Sequence, residues 1–166
     1  MKKRKFLLLF GYCVFGCTCF NIKNSFANNL LGLNTKPFKH TKSYNIINPE
    51  LTSEQKKIMF EEATERPGSS DLNKEKRNGA YHCANCGVKL FNSDTKFESG
   101  TGWPSFTKAL PGAFKTKVDY SFGMKRTEYH CANCGVHHGH VFNDGPNGGK
   151  RYCNNGLCLI FKPSSD

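Results

Sequence analysis

The apolar positions of the chain follow three successive patterns. An unbroken apolar run at 6–20 follows a basic start, and residues 28–49 are polar with no periodicity. After Gly79 the sequence consists of short strand-like pieces separated by Gly, Pro, Asn and Asp. Short strands at this spacing are typical of a small antiparallel β-sandwich or barrel. We therefore expect a mainly β domain over residues 50–166.

Six segments after Gly79 have the strand pattern, namely 81–82, 88–91, 114–118, 127–130, 140–142 and 157–161. A single short helix is predicted before them, at about 53–64. Thr52 and Gln55 have the spacing of a capping box, in which each side chain bonds the backbone of the other residue. No helix breaker follows before Pro67. The predicted domain is thus sandwich-like or barrel-like, with one N-terminal helix.

The first 49 residues have the composition of a leader. The basic run at 2–5 and the apolar run at 6–20 predict a signal-peptide-like segment, 1–27, with cleavage after Ala27. A membrane anchor is the alternative, although the apolar run is shorter than the roughly 20 residues that span a bilayer. Residues 28–49 are rich in Asn, Lys, Ser and Thr and lack acids, which predicts disorder.

The two parts of the leader together are similar to a bipartite leader that reaches a plastid through the secretory pathway. A mitochondrial presequence and a secreted protein with a spacer are the alternatives. We expect no stable association of the mature domain with a membrane once this leader is removed.

The distribution of charge argues against a nucleic-acid-binding protein. The whole chain has 24 Lys and Arg against 13 Asp and Glu, a net charge of +11. Eight of the basic residues and none of the acidic ones lie in residues 1–49, which leaves 16 basic and 13 acidic residues in the predicted domain, a net charge of +3. The strong basicity belongs to the leader.

Two identical octapeptides, YHCANCGV at 81–88 and again at 129–136, carry four of the cysteines. They give the pattern C-x2-C…C-x2-C with 44 residues between the pairs, and the cysteines are Cys83, Cys86, Cys131 and Cys134. Four thiolates form a closed tetrahedral Zn²⁺ site with no open position, so we expect one structural zinc per chain. Two disulfides or redox-active pairs are the alternative, and iron shares the same ligands.

Three histidines follow the second octapeptide. Strand alternation predicts that His138 and His140 share one face and that His137 lies on the other, unless a turn intervenes. A second metal site and a plain surface cluster are both compatible with this grouping.

Cys153 has a different setting from the paired cysteines. Arg151, two residues away, would share a strand face with it and could favour the reactive thiolate. A buried core cysteine is the alternative. Trp103 lies between a glycine-rich turn and a proline, where it could be either a core residue or the apolar wall of a small substrate site.

Taken together, these motifs resemble the B-type methionine sulfoxide reductases, which reduce the R epimer of methionine sulfoxide. The resemblance covers roughly residues 50–162 in the family's order. Its motifs are Gly79-x-Tyr81-x-Cys83-x-x-Cys86, Leu90-Phe91-x-Ser93, Lys96-Phe97-x-Ser99-Gly100-x-Gly102-Trp103-Pro104-Ser105-Phe106, Cys131-x-x-Cys134, His137-x-Gly139-His140-Val141-Phe142-x-Asp144-Gly145-Pro146 and Arg151-Tyr152-Cys153-x-Asn155.

The resemblance implies a role for each site residue. Cys153 would be the nucleophile that attacks the sulfoxide sulfur, and a sulfenic acid would result. His140, with His137, would hydrogen-bond or protonate the sulfoxide oxygen. Trp103 would hold the substrate methyl group. The groups that would orient these residues and tune the thiol are Arg151, Asp144 and Asn155.

Three positions depart from the family pattern. Thr101 stands where many members have the recycling cysteine, so Cys158, a leader cysteine or an external thiol such as thioredoxin would regenerate the enzyme. Cys158 is expected on the same strand as Cys153 but on the opposite face, which favours the external reductant. His138 replaces the usual leucine, and Gly156 replaces the usual serine.

The predicted protein is a monomeric oxidoreductase that acts on oxidised proteins or peptides. The competing hypothesis is a zinc-ribbon binding module without catalysis, which would require a basic face for nucleic acid.

Overall fold

The computed structural model of the chain describes residues 46–165. Helix α1, Ser53–Glu61, begins with the predicted capping box, since the Thr52 side chain accepts from the Gln55 backbone N–H and the Gln55 side chain bonds back. It ends earlier than predicted, because Glu62 adopts the left-handed conformation at its C-terminus. The segment that follows is therefore free to run towards the pocket described below.

Nine strands form two antiparallel sheets within these residues. The strands are β1 (Gly79–Cys83), β2 (Lys89–Asn92), β3 (Lys96–Phe97), β4 (Ser105–Phe106), β5 (Phe114–Asp119), β6 (Arg126–Cys131), β7 (His137–Phe142), β8 (Arg151–Asn154) and β9 (Leu159–Pro163). The first sheet has the order β2-β1-β9, and the second has the order β3-β4-β8-β7-β6-β5. The prediction of a mainly β, antiparallel domain with one short helix is confirmed.

An aromatic core joins the two sheets. Phe106 on β4 stacks on Phe91 of β2 at a centroid distance of 4.0 Å and meets Tyr81 of β1 edge-on at 4.9 Å. Phe114 and Tyr129 extend the cluster along β5 and β6. Each large buried ring removes apolar area from water, and each aromatic pair adds about 0.5–1.5 kcal/mol through favourable ring geometry, so this cluster packs the two sheets together.

The predicted arrangement of the three histidines is wrong. The pairing of β6 with β7 shifts between Tyr129 and His130, so that one extra residue of β7 is accommodated in a bulge. A bulge moves the residues before it to the other side of the strand. As a result His137 and His140 lie together, with ring centroids 5.8 Å apart, while His138 packs against Phe114 in the core.

The predicted strand at 157–161 begins two residues too early. Gly156–Cys158 is a short 3-10 turn, and β9 starts only at Leu159. Cys158 consequently does not lie on the strand of Cys153, contrary to the prediction. It is fully buried in the core, and its Sγ lies 3.5 Å from the carbonyl oxygen of His137.

The predicted signal-peptide-like segment, 1–27, and most of the predicted transit-like leader lie outside the described residues. At the end of that leader, the backbone N–H of Ile47 donates to Asn85 Oδ1 at 2.9 Å. Asn48 donates to the carbonyl of Ala84 at 2.9 Å, so both residues are hydrogen-bonded to the domain. Among residues 46–165, no helix has the length and apolar character needed to cross a bilayer.

Candidate active site and four-cysteine cluster

The two octapeptides fold into the same turn. In each, the glycine N–H donates to the first cysteine's carbonyl at 2.8 Å, from Gly87 to Cys83 and from Gly135 to Cys131. Both glycines have a left-handed backbone, with φ of 73° and 76°, which explains why glycine is needed there. The repeat in sequence is therefore also a repeat in structure.

The four cysteine sulfurs converge at one point. Sγ of Cys83 lies 3.7 Å from Sγ of Cys134, and Sγ of Cys86 lies 3.6 Å from Sγ of Cys131. All four sulfurs lie within 4.8 Å of one another, and the four cysteines are free thiols rather than disulfides. Tetrahedral thiolates at a Zn–S distance of about 2.3 Å would lie about 3.8 Å apart. The cluster thus has the ligand number and spacing to hold a metal ion.

The electrostatics of the cluster also favour a cation. The neighbouring Cys134 sulfur raises the pKa of Cys131 to about 12 when no ion is present. Four converging sulfurs cannot all be thiolates without a positive charge between them, because like charges at this distance oppose each other's ionisation. A bound cation removes that opposition.

A separate small pocket, of about 120 Å³, opens where β7 and β8 meet the segment after α1. Cys153, His140 and Trp103, which the sequence analysis singled out, all line it. Its other lining residues are Thr64, Arg126, Gly139, Phe142, Asn154 and Asn155. The pocket therefore combines a thiol, an imidazole and apolar walls.

Cys153 lies in β8, opposite Ser105 on one side and His140 on the other. Burial raises the pKa of the Cys153 thiol, whereas the Arg151 guanidinium and the Thr101 hydroxyl act to lower it. The Thr101 hydroxyl belongs to a short chain of hydroxyls, since Ser99 Oγ lies 2.8 Å from both Thr101 Oγ1 and Ser105 Oγ. Thr101 therefore lies close enough to the Cys153 thiol to favour its ionisation.

Gly139 allows β7 to approach Cys153 closely. A Cβ at this position would lie 2.0 Å from the carbonyl oxygen of Cys153 and 3.2 Å from Cα of Asn154. Any side chain would push β7 away from β8, so glycine is required for the contact.

His140 is held by a carboxylate that the sequence did not point to. Its Nε2 lies 2.9 Å from Oδ2 of Asp119, which also accepts from the Arg126 guanidinium at 2.6 Å. Burial lowers the pKa of His140, and Asp119 partly offsets that effect. Hydrogen bonds from Ser121, with His140 and Arg126 contributing further, hold the pKa of Asp119 well below its usual range.

His137 lies behind His140 and is almost completely buried. Its Nδ1 is 2.5 Å from Oε1 of Glu128, and its Nε2 is 3.4 Å from Nδ2 of Asn155. Burial alone would raise the pKa of Glu128, but His130, His137 and Lys117 hold it well below the usual range. His137 therefore supports the pocket from inside rather than lining it.

The side chains of Glu128, His130 and His137 also have the composition of a metal site. The ammonium of Lys117, however, contacts the Glu128 carboxylate at 3.0 Å. The Glu128 carboxylate is therefore already paired with the Lys117 ammonium and with the imidazoles of His130 and His137.

Trp103 and Asn155 are both tied to Glu65. Trp103 Nε1 donates to the carbonyl of Glu65 at 3.1 Å, and Asn155 Oδ1 accepts from the Glu65 N–H at 3.0 Å. The Glu65 carboxylate in turn accepts from the backbone N–H groups of Gly156 and Leu157. These bonds fix the indole over the pocket and fasten the segment after α1 to the end of β8.

Arg151 and Asp144 form a bidentate pair, with N···O distances of 2.9 and 2.8 Å. The guanidinium also lies over the ring of Phe142, 4.4 Å from its centroid. The bidentate pair with Asp144 and the contact with the Phe142 ring together orient the Arg151 guanidinium beside Cys153.

Two departures from the family pattern are accommodated by their surroundings. A side chain at Gly156 would meet Ser70 Oγ at 2.0 Å, so Ser70 already fills the space of the usual serine. His138 is fully buried, and burial lowers its pKa to about 3, so that it packs as a neutral ring where leucine is usual.

Several residues of the site were not found from the sequence, namely Glu65, Asp119, Arg126, Glu128, Phe142 and Asn154. Asp119 and Arg126 could have been found from the sequence, because they are opposite charges that flank the loop between the two predicted strands at 114–118 and 127–130. Glu65 could not, because it acts from a loop 90 residues away from Asn155.

The fold and the site define a class of small β proteins with a pocket cysteine flanked by imidazole and indole, and with a separate four-cysteine cluster. The chain belongs to the SelR domain family, whose model matches residues 51–163.

The chain is also similar to curated proteins named "Peptide methionine sulfoxide reductase MsrB". The protein from Methanosarcina barkeri is 50% identical over 118 residues, which cover 70% of this chain and 83% of that protein. The one from Variovorax paradoxus is 56% identical over 102 residues, or 60% of this chain and 75% of that protein. The one from Pseudomonas putida is 50% identical over 115 residues, or 68% and 86%.

Proposed function

We propose that this protein is a peptide methionine sulfoxide reductase, an oxidoreductase that reduces the R-sulfoxide of methionine in oxidised proteins and peptides. The observation that carries the proposal is the convergence of Cys153, His140 and Trp103 on one small pocket. Membership of the SelR family and the names of its relatives support the same reaction.

The proposed reaction moves one oxygen atom between two sulfurs. Cys153 Sγ attacks the sulfoxide sulfur, the oxygen passes to Sγ, and methionine leaves as the thioether. The proton of the thiol ends on that oxygen, so the product on the enzyme is a sulfenic acid and no external proton is consumed. His140 can relay this proton, since it lines the pocket and Asp119 fixes its ring.

The other pocket residues prepare this step. Arg151 and Thr101 favour the thiolate against the effect of burial. Trp103, oriented by its bond to Glu65, supplies a flat apolar wall for the substrate's methyl group.

An external dithiol such as a thioredoxin-like protein is proposed to regenerate the enzyme. The first thiol displaces water from the sulfenic acid to form a mixed disulfide, and the second releases Cys153 as its external disulfide forms. Thr101 cannot form a disulfide. Cys158 is poorly suited to resolve the intermediate, because it is fully buried and burial raises its pKa well above the usual value.

The four-cysteine cluster is proposed to hold one structural Zn²⁺ per chain. With all four positions taken by Cys83, Cys86, Cys131 and Cys134, a bound zinc supplies cross-linking and no open coordination site for substrate. We further propose that the mature domain works as a monomer, without nucleic acid, in an organelle reached through the secretory pathway.

The test of the reaction is Cys153→Ser. The variant is expected to lose at least a thousandfold in reduction of methionine-R-sulfoxide with dithiothreitol, because a hydroxyl is a far poorer nucleophile towards sulfur than a thiol. Its zinc content and its melting temperature should match those of the wild type.

Cys158→Ala is the companion variant. It should keep its turnover with an external dithiol and leave a sulfenic acid on Cys153, detectable by mass spectrometry, when the reductant is withheld. A Cys153→Ser protein with full activity would refute the assignment, and a Cys153–Cys158 disulfide in the stalled wild type would refute the external route.

A further inference from the structure

Large apolar side chains are concentrated at the tip of the β5–β6 hairpin. Among the described residues, eight large apolar side chains are exposed, and four of these lie within the short span 118–124. They are Val118, Tyr120, Phe122 and Met124, here called the tip patch. Phe122 and Tyr120 are 87% and 70% exposed. Single exposed apolar residues are ordinary, but a cluster of them marks an interaction surface.

The backbone at the tip holds Phe122 outward. Phe122 has a left-handed conformation, with φ of 59° and ψ of 23°, and Gly123 continues the turn with φ of 70°. A bulky aromatic residue rarely adopts this conformation, because its Cβ crowds the following carbonyl. The fold gains little from a strained and exposed ring, which is typical of residues kept for binding.

The tip patch is continuous with the pocket. The Phe122 ring lies 5.5 Å from the guanidinium carbon of Arg126, and Arg126 lines the pocket beside His140. Asp119, which faces Arg126 at the same end of the hairpin, bonds both Arg126 and His140. A molecule that enters the pocket and extends past Arg126 would therefore reach the tip patch.

The size of the pocket indicates which molecule this is. A cavity of about 120 Å³ has room for little more than one side chain. When a methionine sulfoxide within a polypeptide occupies it, the residues on either side must lie outside, along the rim. Apolar flanking residues would find partners in the tip patch, and burying them against it would be favourable.

We propose that the tip patch is a docking surface for the apolar residues that flank a methionine sulfoxide in an oxidised polypeptide. This inference rests on the proposed function, and it names the preferred substrate: an unfolded or surface segment in which the oxidised methionine has apolar neighbours. Methionines with apolar neighbours are typical of protein interiors, which become accessible when a protein unfolds.

The experiment compares two substrates with the same small reductant. One is a synthetic ten-residue peptide with a central methionine-R-sulfoxide flanked by leucine and phenylalanine, and the other is N-acetyl-methionine-R-sulfoxide. Dithiothreitol is the reductant, so that no reductant protein needs to dock. Phe122→Asn is the variant, because asparagine tolerates the left-handed backbone while the ring is lost.

Phe122→Asn is expected to lower kcat/KM for the peptide about tenfold, chiefly through KM, as loss of one well-packed aromatic contact does. The value for N-acetyl-methionine-R-sulfoxide should stay within about twofold of the wild type. Tyr120→Ser should act in the same direction. Ile160→Asn, which removes an exposed apolar residue from β9, should change neither substrate.

Three outcomes would overturn the inference. Unchanged kinetics of Phe122→Asn with the peptide would show that the Phe122 ring does not contact the substrate. An equal loss with both substrates would mean that Phe122 only supports Arg126. A loss of kcat/KM that is seen only when thioredoxin replaces dithiothreitol would mean that the tip patch binds the reductant protein and not the substrate. Failure of the proposed function itself is distinct, because the wild type would then reduce neither substrate.

Discussion

His138 shows how a single buried imidazole makes the stability of the domain depend on pH. Its ring lies in the core against Phe114, and burial lowers its pKa to about 3 from an ordinary value near 6.5. Between these two values the unfolded chain binds a proton that the folded chain excludes. Stability contributed by the neutral ring is therefore present above about pH 6.5 and is lost as the pH falls towards 3.

We predict that His138→Leu removes this dependence. At pH 5 the variant should gain about 2 kcal/mol in free energy of unfolding beyond any change at pH 7.5, because the wild-type protein loses about 1.36 kcal/mol per pH unit below about 6.5 and the variant does not. Urea unfolding curves at both pH values measure the difference. A variant and a wild type with parallel pH profiles would show that the ring is accessible to protons.

Four of the nine pocket-lining residues, Trp103, His140, Cys153 and Asn155, were named from the sequence because each lies in a short motif, but their arrangement was not predicted. Alternation assigned His138 to the face of His140, whereas the bulge in β7 brings His137 there instead. A bulge depends on the pairing of two strands, so a single strand's sequence does not reveal it. Asp119 and Glu65 reach the site from distant segments for the same reason.

At the scale of elements, the contact between β7 and β8 depends on Gly139. We predict that Gly139→Ala lowers the free energy of unfolding by more than about 3 kcal/mol and abolishes activity, since its Cβ would overlap the carbonyl of Cys153. Gly148→Ala is the matched control. That glycine also has a positive φ, of 74°, but it faces open space and should cost only about 1–2 kcal/mol.

Chemical denaturation and sulfoxide reduction measure the two effects. Equal losses in stability for the two alanine variants would mean that backbone strain alone, and not the close approach of β7 to β8, accounts for the requirement for glycine at position 139.

The elements themselves were predictable where apolar residues alternate over four or more positions, as in β5 and β6. The two-residue strands β3 and β4 carry too few positions to show a period. β9 was predicted with a wrong start, because Leu157 and Cys158 are as apolar as the strand that follows and only the 3-10 turn separates them.

For the molecule as a whole, the four-cysteine cluster joins the turn after β1 in one sheet to the turn after β6 in the other. We predict that a chelator that removes the proposed zinc ion, or Cys83→Ser, lowers the melting temperature by roughly 10 °C or more, because a structural metal contributes directly to folding free energy. Cys131→Ser should have the same effect as Cys83→Ser, since the two cysteines occupy equivalent positions in identical octapeptides.

Differential scanning fluorimetry and elemental analysis of the purified variants provide the measurements. Full metal content with an unchanged melting temperature in either serine variant would contradict a shared site.

The spacing of the repeat also fixes an order of events during synthesis. Equivalent cysteines of the two octapeptides are 48 positions apart, so Cys83 and Cys86 leave the ribosome well before Cys131 and Cys134 follow. For that interval the nascent chain carries an open dithiol with half a coordination sphere, and an oxidant could close it into a local disulfide. Assembly of the proposed shared metal site therefore requires that these first two thiols stay reduced until the second pair emerges.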